Sequence, residues 1–287
     1  MEMTPNLKKF LDYAIFPAYL ACTLVETSWL IKAGLPCILV GGIVTATMAV
    51  AAAILEQLRP ERVDFNVLCL PLRTELAHYL FNFNIGYAVG LIPLVALAAA
   101  AAKFCPDAWP TGWPLALQVV MATFLGEAVS YWQHRLIHRI DWLWPFHALH
   151  HSGATLNLYR SARFHFVDLA SAFFLLALPL VLLRAPEVIF AWTAAIYGAI
   201  SVMQHSNVRL TTPPFLDRVI CTPAVHRYHH SSDKSESDGN FGTQVMLIDQ
   251  LFGTFIMPSK AGPAVIGIEN DRTRPGFWAQ TLDPFMT

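Results

Sequence analysis

Histidine is concentrated in one part of this sequence. Of the 11 histidines, 10 lie between residues 134 and 230. His134 and His138 are four residues apart, so on a helix both rings would lie on one face, one turn apart. The pattern H-x-x-H-H occurs twice, and its spacings of three and four residues again favour one helical face. These two triplets are His147, His150, His151 and His226, His229, His230.

Such a set of side chains could bind metal, because neutral imidazole is a good ligand for zinc, copper, iron and nickel ions. With roughly four to six ligands per ion, eight to ten histidines are enough for two ions and too many for one. His165 and His205 flank apolar runs at the same end and join the candidates. The predicted ligands are His134, His138, His147, His150, His151, His165, His205, His226, His229 and His230. His78 stands alone near the start of another apolar run, and we interpret it as a surface residue at a membrane interface.

Long apolar runs must position these histidines. They cover residues 12–31, 34–55, 76–102, 114–133, 166–183 and 186–204. A helix needs roughly 20 mostly apolar residues to cross a bilayer. Only 14% of the residues are charged, whereas a soluble domain has about 25%. We therefore predict an all-α integral membrane protein with four to six transmembrane or membrane-embedded helices and a histidine-rich helical cap, in preference to a large soluble core.

We expect one membrane domain over residues 1–287, with amino-terminal spans at 12–110, a histidine-rich region at 115–257 and a cytosolic tail at 258–287. Pro145 and Pro223 lie just upstream of the two triplets and predict short helices there, and Gly153 could end the first.

Five cysteines without a C-x-x-C pair argue against a disulfide scaffold or a thiolate zinc site. The net charge of −1 lacks the positive excess that is typical of a nucleic-acid-binding protein.

Lysine and arginine predict the orientation. With the amino terminus in the cytoplasm and alternating spans, 16 of the 19 basic residues fall on the cytoplasmic side. This excess follows the positive-inside rule. Both termini and the histidine motifs are then cytoplasmic. The amino terminus lacks the apolar core and cleavage site of a signal peptide.

At its histidine motifs the chain resembles the fatty acid hydroxylase and sterol desaturase superfamily of membrane di-iron enzymes. The motifs are His134-Arg135-Leu136-Ile137-His138, His147-Ala148-Leu149-His150-His151 and His226-Arg227-Tyr228-His229-His230. The likeness covers roughly residues 115–257 and includes Gln204-His205-Ser206-Asn207, Asp238-Gly239-Asn240-Phe241-Gly242 and Asp249-Gln250-Leu251-Phe252-Gly253-Thr254. Ile248 and Gln250 replace a Trp and an Arg that the family usually shows. Residues 1–110 carry no family signature, which leaves the substrate open.

The resemblance implies helical spans under a cytosolic cap, two histidine-bound iron ions, and the use of O2 and two electrons. A metal-bound histidine usually donates its other ring N–H to a carboxylate or carbonyl. Asp168, Asp238 and Asp249 are therefore candidates to support the ligands. Glu127 lies seven residues before His134 on the same face of its span, and a carboxylate inside a membrane is a functional candidate.

The predicted function is O2-dependent hydroxylation of a membrane lipid, either a fatty acyl or a sterol substrate. A lipid or sterol desaturase with the same centre is the alternative, because both reactions begin with hydrogen abstraction. A metal transporter or a structural zinc protein is less favoured, since transporters place their ligands near the bilayer midplane and structural zinc sites often use cysteine. The sequence has no G-x-G-x-x-G, no C-x2-C and no His-Pro-Gly-Gly motif. We therefore expect a separate electron donor, which could be a cytochrome b5-like protein, a ferredoxin-like protein or a reductase.

Overall fold

The structure is a computed structural model of the 287-residue chain and describes residues 4–65, 72–259 and 262–286. Within these ranges the regular structure is helical, and the only β pairing consists of three isolated antiparallel bridges. Cys69 lies outside the described residues, and the other four cysteines are free thiols. The prediction of an all-α fold is confirmed.

In the described part of the chain, six long apolar helices form the body of the protein. They are α1 (Pro5–Lys32), α2 (Cys37–Leu58), α4 (Asn84–Phe104), α5 (Leu115–Arg139), α7 (Phe166–Leu182) and α8 (Glu187–His205). α4 continues from α3 (Leu72–Ala77) through a π-helical turn at His78–Phe83. Among the residues that the structure describes, five helices are long and apolar enough to cross a membrane: Asn6–Lys32, Cys37–Leu58, Arg73–Phe104, Leu115–Arg139 and Glu187–His205. α7 has 17 residues and is shorter than the roughly 20 that a span requires.

Glycine allows two of these helices to pack closely. A Cβ atom on Gly86 would lie 2.6 Å from the Cβ of Leu169, and one on Gly90 would lie 2.7 Å from the carbonyl oxygen of Ala170. Small residues commonly bring membrane helices together in this way. The G-x-x-x-G pattern of α4 therefore packs against α7 of the same chain, which brings the third span next to the helix that follows the first triplet.

Short helices build the cap that carries most of the histidines. They are α6 (Trp144–His151), a 3-10 turn (Leu158–Ala162), α9 (Pro214–Asp217), α10 (Pro223–His229), α11 (Lys234–Ser237) and α12 (Leu247–Leu251). Pro145 and Pro223 lie in the first turns of α6 and α10, as predicted. Gly153 has a φ of +90°, a conformation that favours glycine, and it lies just beyond the end of α6.

The carboxyl-terminal helix α13 (Phe277–Leu282) packs against the π-helical turn, and this contact corrects the interpretation of His78. That residue is fully buried rather than a surface residue. Its Nε2 atom lies 2.8 Å from Oε1 of Gln280, and its Nδ1 atom lies 3.0 Å from Nδ2 of Asn82. The partner that buries His78 lies 202 positions away in the sequence, so no local pattern indicates the contact.

Candidate metal centre

Nine of the ten predicted ligands converge in two adjacent groups. The five-histidine group contains His134, His138, His147, His151 and His229. The four-histidine group contains His150, His205, His226 and His230. Within each group the candidate ligand atoms lie within 4.8 Å of one another. The structure thus offers two positions at which histidines alone could hold an ion.

Each triplet contributes to both groups. In the first, His147 and His151 join the five-histidine group and His150 joins the other. In the second triplet the division is reversed, because His226 and His230 join the four-histidine group. Residues four apart on a helix differ by only about 40° around its axis, whereas neighbours differ by about 100°. The i and i+4 rings can therefore share an ion position while the i+3 ring points to the next.

Four separate elements bring the rings together. α5 ends at Arg139 and carries His134 and His138 near its last turn. α8 ends at His205, and the triplets lie on α6 and at the end of α10. The cap histidines therefore meet the ends of two candidate membrane spans. This places the centre at one end of the helical body, as the sequence predicts.

Backbone and carboxylate acceptors fix several ring tautomers. His134 Nδ1 donates to the carbonyl oxygen of Phe241 at 2.7 Å, and His147 Nδ1 donates to Oδ2 of Asp168 at 2.7 Å. A neutral imidazole that donates from Nδ1 has a lone pair on Nε2. The Nε2 atoms of His134 and His147 nevertheless lie 3.0 Å apart. Two lone pairs that face each other at this distance repel, unless a cation lies beside them.

Protonation is unfavourable for the buried rings of the cap. Burial first, and the neighbouring imidazoles second, hold the pKa values of the cap histidines well below their usual range; these are His150, His151, His226, His229 and His230. These five rings are therefore neutral near pH 7. Nε2 of His138, Nε2 of His229 and Nδ1 of His150 are buried without a hydrogen-bond partner. A convergent set of neutral imidazoles with free lone pairs fits transition-metal ions.

Asp168 and Asp249 support the five-histidine group in different ways. Asp168 contacts His147 directly. Asp249 accepts the N–H groups of Phe241 and Gly242 at 2.8 and 2.7 Å, and it thereby holds the peptide whose carbonyl receives His134. Burial raises the pKa of Asp249, although these hydrogen bonds oppose the shift.

Glu127 holds the same loop from the side of α5. Its carboxylate accepts the N–H groups of Thr243 and Gln244 at 2.6 and 2.9 Å, and the hydroxyl of Tyr197 at 3.1 Å. Asp238 is less closely engaged, because its Oδ1 atom lies 3.8 Å from Nδ1 of His138, which is beyond hydrogen-bond distance.

His165 lies outside both groups. Its Nδ1 atom accepts the N–H of Val167 at 3.1 Å and so caps the amino terminus of α7. Its Nε2 atom donates to the carbonyl oxygen of Thr281 at 3.0 Å, which connects it to the carboxyl-terminal helix. The structure therefore gives both of its ring nitrogens partners within the protein. His205, by contrast, lies in the four-histidine group.

Several neighbours of the histidines carry no signal in the sequence. The Phe164 ring stacks on His150 with 3.9 Å between ring centroids, and Trp144 lies 5.0 Å from His138. Cys221 is buried, with its sulfur 3.9 Å from Nδ1 of His226. Aromatic residues are common throughout this chain, so their positions alone do not distinguish them. Cys221 lies two residues before the proline that opens α10, which would be a weak cue.

Fold and site together define an integral membrane protein with an all-α body and a histidine cluster suited to metal binding. The family model for fatty acid hydroxylase matches residues 119–254. The chain is 33% identical over 277 residues to the ornithine lipid hydroxylase OlsE of Rhizobium tropici, a match that covers 94% of this chain and 83% of that protein. The chain belongs to the fatty acid hydroxylase family, and it is an oxidoreductase.

More distant relatives match a smaller part of the chain. The alkylglycerol monooxygenase of Danio rerio is 30% identical over 148 residues, and that of Homo sapiens is 29% identical over 135 residues. These matches cover 51% and 47% of this chain, but only 31% and 30% of the relatives. No solved structure matches the chain. The family and its relatives support lipid hydroxylation as the class of reaction.

Proposed function

We propose that the protein is an O2-dependent lipid hydroxylase that holds one iron ion in the five-histidine group and a second in the four-histidine group. The observation that supports this most strongly is the convergence of nine buried imidazoles, several of them with lone pairs turned toward one another. Iron in these positions would supply the activation of O2, and the protein supplies binding, orientation and exclusion of water.

The proposed substrate is an ornithine lipid or a related amino-acid lipid. OlsE matches 94% of this chain, so the match extends into the amino-terminal spans. The alkylglycerol monooxygenases match about half of it. The spans that we expect to shape the lipid pocket are thus part of the similarity to the ornithine lipid enzyme. This favours an amino-acid lipid over an ether lipid or a sterol.

The protein's own residues have two tasks in this reaction. Asp168 and the carbonyl of Phe241 keep protons on the Nδ1 atoms of their histidines, which leaves Nε2 free to bind. Phe164 and Trp144 pack on the imidazole rings and keep water away. The position of the centre at the ends of the spans favours a carbon in or near the lipid headgroup, because a mid-chain carbon would have to be raised out of the bilayer.

We further propose that both termini and the centre face the cytoplasm, where a separate electron donor delivers two electrons. The placement of 16 of the 19 basic residues on that side supports this orientation. Reporter fusions at Lys103 and at the carboxyl terminus test it, and an outward carboxyl terminus would overturn it. Purified protein should be inert with NAD(P)H and O2 until a donor is added.

The reaction is tested with iron-loaded protein, a reconstituted donor, an N-acyl ornithine lipid and ¹⁸O2. A hydroxylase incorporates one labelled oxygen atom into the lipid. An alkene two mass units lighter, without an oxygenated product, would replace the proposal with a desaturase. A parallel reaction contains an alkylglycerol in place of the ornithine lipid. Oxidation of the alkylglycerol with no change in the ornithine lipid would identify an ether lipid as the substrate. A His229→Ala variant serves as the inactive control.

A further inference from the structure

Two buried arginines near the first triplet share one carboxylate. Arg160 and Arg163 are 4% and 6% exposed. Glu75 is also buried, and its Oε1 atom lies 2.5 Å from Nη1 of Arg163 and 3.7 Å from Nη1 of Arg160. Among the described residues, no other carboxylate lies within ion-pair distance of either arginine. Glu75 lies closer to Arg163 than to Arg160, so Arg160 has only its longer contact with Glu75 and a weaker attraction from Asp271.

The hydrogen bonding of this cluster is incomplete as well. Nε and Nη1 of Arg160, Nε of Arg163 and Oε2 of Glu75 are buried without a hydrogen-bond partner. Burial, with a smaller contribution from the nearby Arg163, lowers the pKa of Arg160 to about 10, so its guanidinium still carries a charge at neutral pH. Buried donors that lack partners are costly and call for an explanation. A binding role is such an explanation.

The cluster adjoins the metal centre. Nη2 of Arg163 donates to Oγ of Ser152 at 3.0 Å, and Ser152 directly follows His151. A Cβ atom on Gly153 would collide with Nη2 of Arg160, so the guanidinium lies directly against the backbone that leaves the triplet. Glu75 lies near the start of the third candidate span. The arginines are therefore at the level where that span meets the cap, which is where a lipid headgroup would lie.

We propose that Arg160, together with Arg163, binds an anionic group in the headgroup of the lipid substrate. This inference rests on the proposed function in so far as the substrate is a lipid. The guanidinium presents its N–H donors in a fixed fork that matches both carboxylate and phosphate. An anion held there lies beside the first histidine triplet, so it would set which headgroup carbon faces the centre.

Asp271 marks the exposed rim of the cluster. Its Oδ2 atom accepts the N–H of Gly153 at 2.9 Å, in the turn against which Arg160 packs. Asp271 belongs to the carboxyl-terminal tail, and its exposed carboxylate attracts both arginines. An anionic headgroup at Arg160 would take the place of this attraction, so its binding requires this part of the tail to move.

The test measures binding without turnover. Metal-loaded protein in phosphatidylcholine nanodiscs is titrated with an N-acyl ornithine lipid, with its carboxylate methyl ester, and with phosphatidylglycerol. We expect the free acid to bind about 10- to 100-fold more tightly than the ester, the range for hydrogen bonds to charged groups. Arg160→Met should abolish that preference. It should also retain its melting temperature and bound metal, because the Glu75–Arg163 pair remains. The phosphatidylglycerol arm decides whether phosphate is accepted as well.

Arg209→Met is the matched control, since Arg209 is an arginine with 62% of its side chain exposed. It should keep the preference for the free acid. Arg160→Lys retains the charge without the fork and should recover part of the affinity. Equal binding of acid and ester by the wild-type protein, or an unchanged preference in Arg160→Met, would reduce the cluster to a structural ion pair. Because no hydroxylation is measured, failure of the proposed reaction leaves this result interpretable.

Discussion

In the five-histidine group, three rings have an acceptor for their outward N–H: His134, His147 and His229 contact Phe241, Asp168 and Gly239. In the four-histidine group only His205 has one, the carbonyl of Ser201 in its own helix. His226 faces the sulfur of Cys221 at 3.9 Å, and Nδ1 of His150 has no partner. The two groups are adjacent and chemically alike, yet they are supported differently.

This difference has a consequence for metal binding. An acceptor on the outward nitrogen fixes the tautomer, orients the ring and makes the ligand more basic. The five-histidine group should therefore be the stiffer and tighter site. In the four-histidine group the rings are held mainly by packing, as in the stacking of Phe164 on His150. We expect its ion to exchange more easily. Three predictions test this contrast, and a fourth tests the ligand set itself.

Loss of a ligand should have the largest effect. His229→Ala in the five-histidine group and His150→Ala in the four-histidine group should each lower activity by more than about 100-fold, because removing even an outer partner of a ligand costs about 10- to 100-fold. Metal analysis should give about two ions for the wild type and fewer for each variant. A variant that keeps both ions and its activity would remove that histidine from the ligand set.

A matched pair of changes next to the ligands comes second. Asp168→Asn removes the carboxylate that orients His147, and we expect a loss of about 10- to 100-fold in metal affinity or activity. Cys221→Ala removes a poorly placed neighbour of His226, and we expect less than about a threefold change. Metal affinity, measured by competition with a chelator, distinguishes a positioning role from a change in chemistry. Equal losses in the two variants would contradict the proposed difference between the groups.

Glu127→Gln should have a smaller effect, because Glu127 acts through the loop that carries Phe241. The amide replaces one acceptor oxygen for the N–H groups of Thr243 and Gln244. We expect about a tenfold loss of metal affinity, at the lower end for outer partners. Tyr197→Phe is the control, since it removes one donor to Glu127 and leaves both backbone contacts. A larger loss of metal affinity in Tyr197→Phe than in Glu127→Gln would show that Glu127 does not act mainly through the backbone of this loop.

The sequence predicted the long helices and the convergence of nine of the ten candidate histidines, because both follow from local patterns. Apolar runs of about 20 residues predicted the long helices, and the spacing of His226, His229 and His230 predicted a shared face. The allocation of His150 and His229 to opposite groups was not predictable, since it depends on how four distant segments pack. The same limit applies to His78, whose burial requires a helix 202 positions away.

The residues around the histidines also differ in how far the sequence could predict their roles. Asp168 was a candidate because metal-bound histidines usually have a carboxylate partner. Arg160 gave no signal, because a single arginine in a segment between apolar runs is ordinarily a solvated charge. Only the fold shows that it is buried beside one shared carboxylate.

The smallest predicted effect concerns His165, which the sequence assigned to the ligand set and the structure leaves outside both groups. Its ring caps α7 and contacts Thr281. His165→Ala should therefore lower the free energy of unfolding by about 1–2 kcal/mol, the range for loss of a helix cap. His165→Asn should restore most of it, because asparagine is a good cap. Both variants should keep about two bound ions, as measured by metal analysis.

The two readouts separate the roles of this ring. A ligand acts through the metal, so asparagine would not replace it and the ion count would fall in both variants. A cap acts through the N–H of Val167, so the short amide side chain can replace it while the ion count stays constant. Loss of an ion from His165→Asn would return His165 to the ligand set. It would also require the carboxyl-terminal helix to move, because Nε2 of His165 is hydrogen-bonded to the carbonyl oxygen of Thr281.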